Sequence, residues 1–273
     1  MHESLTRPEH LPDYRDPPLN EVVIGVQFVP ARGYQQIRAG EVWGLYRADF
    51  PLVEEQPPIP PSFETFGLSP AGPMINFGFV TGAQHDRFWF LTPSKDELIQ
   101  FQHDRLLHNW RKVGDQSNQY PRFENMIVKF DDELQRLETY FSGLSVQSLN
   151  CNQAEISYIN HINIDKSESS AVKDWFRVLN LGDWPIDDVS ATWRRTLRSD
   201  HEGPYGRLSC ELASAIDPRG RRIFVLTLTV RGRPSGSSIV ASIDFLKRGR
   251  AVIVEEFTAI TSDSAHKIWG RLI

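Results

Sequence analysis

The chain has 273 residues, 40% hydrophobic and 24% charged, with a formal net charge of −5. That composition supports a sizeable buried core and two intimately packed lobes, while the acidic balance argues against general nucleic-acid binding. There is no run of the roughly 20 apolar residues a membrane span needs, no basic-then-apolar leader at Met1–Ser4, and only two cysteines, so a cytoplasmic protein away from membranes is expected.

After a polar leader over residues 1–20, Glu21–Val29 is β-branched and apolar and reads as a strand stopped by Pro30. Ile37–Phe50 sets Trp43, Tyr46 and Phe50 on one helical stripe, which Pro51 ends. Pro51, Pro57, Pro58, Pro60, Pro61, Pro70 and Pro73 then make residues 51–73 a stiff, extended crossover. From Asp86 the apolar residues alternate. Phe88 and Phe90 precede a turn at Pro93–Asp96, and Glu97–His103 and Arg105–Arg111 read as further strands. Pro121 opens a helix in which Phe123, Ile127, Phe130, Leu134, Leu137 and Phe141 recur every three or four residues.

The first lobe, residues 21–145, is followed by a second over residues 150–273. There Ala154–Ile164 reads as a strand and Ser170–Leu179 as a short helix. Thr192–Arg198, Tyr205–Ile216 and Ile223–Arg231 read as three strands, the last two joined by the turn Asp217–Gly220. A long helix starts near Ser238 with Gly249 as its weak point, and Ser262 caps a short one carrying His266 and Trp269. The expected fold is α+β: two similar β-α-β-β-β-α halves, each a curved antiparallel sheet with long helices on one face.

Phosphate-loop, nucleophile-elbow, HExxH and dinucleotide-binding patterns are all missing. The densest set of functional groups is Glu97–Lys112. Strand alternation places Gln100, Gln102 and Asp104 on one face and Phe101, His103 and Arg105 on the other, and one face is too polar for an ordinary core. On such a face amides orient a ligand, Asp104 supplies charge, and Arg105 or Arg111 takes a carboxylate or phosphate in bidentate fashion. His108 belongs to the same stretch, and Asn160 and His161 form a second polar pair among apolar neighbours. Convergence of His103, His108 and His161 on Asp104 would supply acid–base groups. Nine basic against three acidic residues over 207–250 leave room for a local anion site at Arg207 or Arg231–Arg233.

Pro18–Phe28, Glu97–Arg105 with Asn109–Arg111, Tyr158–His161 and His266–Arg271 resemble the corresponding segments of a sporadically distributed bacterial protein family of similar length. The resemblance spans nearly the whole chain and implies no activity, cofactor or catalytic residue. Patchy distribution associates such a family with accessory genes, including defence or toxin-neutralising systems. The expected function is non-catalytic: a binding or interaction protein holding a small anionic ligand or a protein partner over a polar sheet face. The candidates are Gln100, Gln102, Asp104, Arg105, His108, Arg111, Asn160 and His161, with no cofactor or metal and with self-association as an option. The alternative is a hydrolase-like enzyme with His/Asp acid–base groups and an Arg clamp.

Overall fold

A computed structural model describes residues 6–67, 86–145, 148–166, 171–179, 181, 187–199 and 203–273. Pro70, Pro73 and Ser170, used in the expectations above, lie outside the described residues. The strands are β1 (Leu19–Phe28), β2 (Leu52–Gln56), β3 (Arg87–Leu91), β4 (Glu97–Gln102), β5 (Arg105–Arg111), β6 (Cys151–Asn163), β7 (Ser190–Ser199), β8 (Gly203–Ile216) and β9 (Arg222–Gly232). The helices are α1 (Ala39–Tyr46), α2 (Phe123–Ser145), α3 (Val172–Trp175), α4 (Ile239–Ile260) and α5 (Asp263–Ile268).

All nine strands form one antiparallel sheet in the order β2-β3-β4-β5-β1-β6-β9-β8-β7. The two halves of the chain therefore share a single sheet, joined through β1 and β6, where Ile24 lies opposite Ile156. Alternation along β1 sends Val22, Ile24, Val26 and Phe28 into the core and turns Glu21, Val23, Gly25 and Gln27 to the opposite face. The long helices α2 and α4 cover the first face. Phe130, Leu134 and Leu137 of α2 are fully buried, as their spacing predicts.

Several elements depart from the sequence reading. The proline-rich crossover contains β2, an edge strand bracketed by Pro51 and Pro57, so the first half carries four strands after α1 and not three. Proline is tolerated there because an edge strand needs only one set of ladder bonds. A 3-10 turn (Gln36–Arg38) precedes α1, which stops at Tyr46, and the Trp43 indole then donates to the Phe50 carbonyl at 3.0 Å. Helix α3 is only four residues long, because Phe176 extends to bridge Thr261 and packs edge-on against Phe224. The Asp217 turn and the Ser238 and Ser262 caps form as read. Asp217 Oδ1 accepts the N–H groups of Arg219 and Arg221, both at 2.9 Å, and each serine accepts the N–H three residues on.

Gly249 is where α4 lies against the sheet. A Cβ added there would stand 2.8 Å from Ile156 Cγ2 and 3.1 Å from Val230 Cγ1, both on fully buried residues of β6 and β9. Gly249→Val should therefore lower stability by about 1–3 kcal/mol through overpacking, read as a lower urea midpoint. A midpoint at or above that of the unaltered protein would show that helix and sheet can part here.

Candidate helix-free face

His103 and Asp104 form a two-residue turn, so Gln102 of β4 lies directly opposite Arg105 of β5. The turn interrupts the alternation assumed from the sequence. Arg105 therefore shares a face with Gln100 and Gln102, not with Phe101. The face that carries no helix among the described residues, the helix-free face, runs from Gln100 and Gln102 on β4 through Arg105, Asn109 and Arg111 on β5, Glu21 and Gln27 on β1, and Gln153, Glu155 and His161 on β6. It continues to Thr227, Thr229 and Arg231 on β9 and Arg207 and Ser209 on β8.

At one end of this face a chain of side-chain amides crosses four strands. The Trp89 indole donates to Gln100 Oε1 at 3.1 Å, and Arg87 donates to the same oxygen. Gln100 Nε2 donates to Asn109 Oδ1 at 2.8 Å, and Asn109 Nδ2 to Glu21 Oε1 at 2.6 Å. Burial raises the Glu21 carboxyl above the usual carboxylate range, against the Asn109 hydrogen bond and the Arg111 charge. Arg111 lies 5.5 Å from the centre of the Trp89 ring and donates to the Lys95 carbonyl at 3.1 Å.

At the other end, residues 57–67 lie across the sheet as an extended strap. Gln102 accepts the N–H of Ile59 at 2.8 Å and donates to its carbonyl at 2.9 Å. Gln27 accepts the N–H of Ser62 at 2.9 Å, and Gln153 that of Glu64 at 3.4 Å. Arg207 donates to the Thr65 and Gly67 carbonyls, and Glu64 lies 3.4 Å from Arg207 and 3.6 Å from Arg231. Between strap and sheet is a cavity of about 200 Å³ with Gly25, Gln27, Arg105, Gln153 and Arg231 in its wall. Gly25 is required there, since a Cβ would meet Leu107 Cγ at 2.8 Å. The arginines of this wall are compensated. Arg105 reaches both oxygens of Asp104 at 3.0 and 3.1 Å, and Arg231 donates to Glu155 and, at 3.1 Å, to Ser62.

Six of the eight candidates thus lie on the helix-free face: Gln100, Gln102, Asp104, Arg105, Arg111 and His161. His108 and Asn160 face the helices. His108 is fully buried, with Nδ1 2.9 Å from Glu133 of α2 and Nε2 3.5 Å from Glu97. Asn160 lines a cavity of about 70 Å³ with Tyr158 and Arg250, whose guanidinium donates to Glu124 at 3.1 Å. The acid–base constellation read from the sequence is not assembled. His161 sits beside Pro18 at one end of β1 and Asp104 beside Phe28 at the other, separated by roughly 30 Å of strand. Burial lowers the His161 imidazole below its usual range, opposed by Asp217.

Sequence reasoning missed Gln27, Gln153 and the strap. The available signal was Gln27 within the apolar run from Val22 to Phe28 of β1 and the amide pair Asn152 and Gln153 at the start of β6. The basic stretch suggests an anion site at Arg207 and Arg231, whereas these arginines hold the strap. Cys151 and Cys210 are buried free thiols that burial pushes up to about 11 and about 12, which makes them poor nucleophiles. Among the described residues no three His, Cys, Asp or Glu side chains are disposed to hold a metal ion, and no helix is long and apolar enough to cross a membrane. No family model, curated protein or solved structure matches the chain.

Proposed function

We propose that the protein is a non-catalytic binding protein that holds a polypeptide partner over the helix-free face of its sheet. The observation that carries this reading is the strap, a stretch of polypeptide already seated on that face through the amides of Gln102, Gln27 and Gln153. A charge-compensated wall favours a polar, uncharged surface such as a peptide backbone over a free anion, because Arg105 and Arg231 already have carboxylate partners. The near-mirrored strand order about the β1–β6 seam supports reading the halves as copies of one unit. That would make the platform two-winged.

Thr229 is half-buried on this face, its hydroxyl 2.7 Å from that of Ser157 and its position two residues along β9 from Arg231. Thr229→Trp should remove a partner that co-purifies stoichiometrically from the native host, while Gln135→Trp on the exposed side of α2 leaves it bound. Retention by the first variant and loss by the second would place the partner on the helices and refute the proposal.

A further inference from the structure

The strap is attached in an unusual way. None of residues 57–67 is buried, and Phe63 and Phe66 are 57% and 42% exposed, so the segment adds no side chain to the core. The groups beneath it are the buried ones: Gln102, Asp104, Gln27, Gln153 and Arg105 are each 8% exposed or less. Beyond the side-chain contacts of Glu64 with Arg207 and Arg231 and of the Ser62 hydroxyl with Arg231, the attachment is directed at main-chain atoms. Gln102 takes both the N–H and the C=O of Ile59, Gln27 and Gln153 take the N–H groups of Ser62 and Glu64, and Arg87 donates to the Pro57 carbonyl at 3.2 Å.

A seat that reads backbone does not require one sequence. What it requires is an extended chain with N–H groups at suitable spacing, and Pro57, Pro58, Pro60 and Pro61 hold the strap in that form before it binds, lowering the ordering entropy. Release would uncover little of the core, chiefly Leu107 in the wall of the cavity beneath the strap, and would pass the glutamine and arginine groups to water, each hydrogen bond exchanging for one of similar net worth. The arrangement shares with proline-rich peptide recognition a preformed extended ligand, but reads it with amides and not with aromatic slots.

We infer that the row Gln102, Gln27 and Gln153 is a peptide-binding seat for a proline-rich, extended segment of a protein partner, occupied in this structure by the chain's own residues 57–67. The inference rests on the proposed function for its choice of face and adds the class of partner and the mode of competition. The partner segment displaces the strap, and the exposed Phe63 and Phe66 leave with it.

The probe is a fluorescent synthetic peptide with the sequence of residues 56–67. The full-length protein is compared with a strap variant carrying Ser62→Pro, which removes the N–H accepted by Gln27, and Glu64→Lys, which opposes Arg207 and Arg231. Both changes leave the seat intact. The strap variant should bind the peptide at least tenfold more tightly than the unaltered protein, and adding Gln102→Leu should abolish the gain. Exchanging the four prolines of the peptide for alanine should weaken binding at least fivefold.

The inference is overturned if the strap variant melts like the unaltered protein yet binds no better, if Gln102→Leu changes nothing, or if the alanine peptide binds equally. It is also overturned if the strap variant has no cooperative transition, which would make the strap part of the fold. Dimerisation of the strap variant that the peptide fails to reverse would assign the seat to a second copy instead. Should the peptide fail while Thr229→Trp still releases a native partner, the face reading stands and this inference alone falls.

Discussion

Replacing His108 by leucine should destabilise the protein by about 3–5 kcal/mol near pH 6. The side chain is fully buried between α2 and the sheet, with Glu133 2.9 Å from one ring nitrogen and Glu97 3.5 Å from the other. Lys129 of α2 closes the cluster by reaching Glu97 at 2.7 Å. Leucine fills the space but leaves Glu133 as a buried carboxylate without its cation, so the loss exceeds that of a neutral hydrogen bond.

Burial alone would lower the His108 imidazole, but the Glu133 and Glu97 carboxylates prevail and raise it to about 9. A folded-state value above the ordinary one of about 6.5 means stability that is complete below pH 6.5 and is lost as pH rises towards 9. Glu97 works in the opposite direction. Burial would raise it, yet His108 and Lys129 hold it down at about 2, so its contribution is complete above the ordinary value of 4.5 and is lost as pH falls towards 2. Urea unfolding should therefore show a plateau between about pH 4.5 and 6.5, with an alkaline decline on the order of 3 kcal/mol that His108→Leu removes. An alkaline decline unchanged in His108→Leu would mean that the cluster is not ionised as described.

Phe130→Ala should cost about 3–5 kcal/mol and Leu137→Ala about 3 kcal/mol, because both side chains are 0% exposed beneath α2 and each truncation leaves a cavity. Phe130 should show the greater drop in melting temperature, having the larger volume. Unchanged melting in both variants would show that the stripe is not packed on the sheet and is free to meet a partner.

The stripe of α2 was legible because a helix writes its buried face into local spacing, and the same holds for the alternation of β1 and for the serine caps. Legibility of the site stopped at one turn. Carrying strand alternation across the break between Glu97–His103 and Arg105–Arg111 puts Arg105 with Phe101. The two-residue turn at His103–Asp104 returns Arg105 to the glutamine face, and no residue in that stretch announces the turn as an Asn-Gly pair would. His108 reads with the polar stretch because it lies within Glu97–Lys112, and Asn160 reads as a polar residue among apolar neighbours; buried partners on α2 and β9 satisfy them, Glu133 for His108 and the Leu226 carbonyl for Asn160.

The strap was the least legible feature. Its glutamine partners lie 43, 35 and 89 residues away in sequence, and nothing local to Pro57–Pro61 indicates which strands it crosses. Strand β2 was hidden by the same prolines, which bracket it and resemble a continuous extended connector.

The claim that a partner occupies the helix-free face is tested most directly by thiol accessibility. Cys151 and Cys210 are buried with raised pKa values, so a cysteine placed at Thr227 on that face, or at Gln135 on α2, is the fast-reacting thiol of its variant. Labelling rates of Thr227→Cys and Gln135→Cys are compared in purified protein and in soluble extract of the native host. The account predicts at least tenfold slower labelling of Thr227→Cys in the extract, with Gln135→Cys unchanged. Equal slowing of both, or slowing of Gln135→Cys alone, would contradict it.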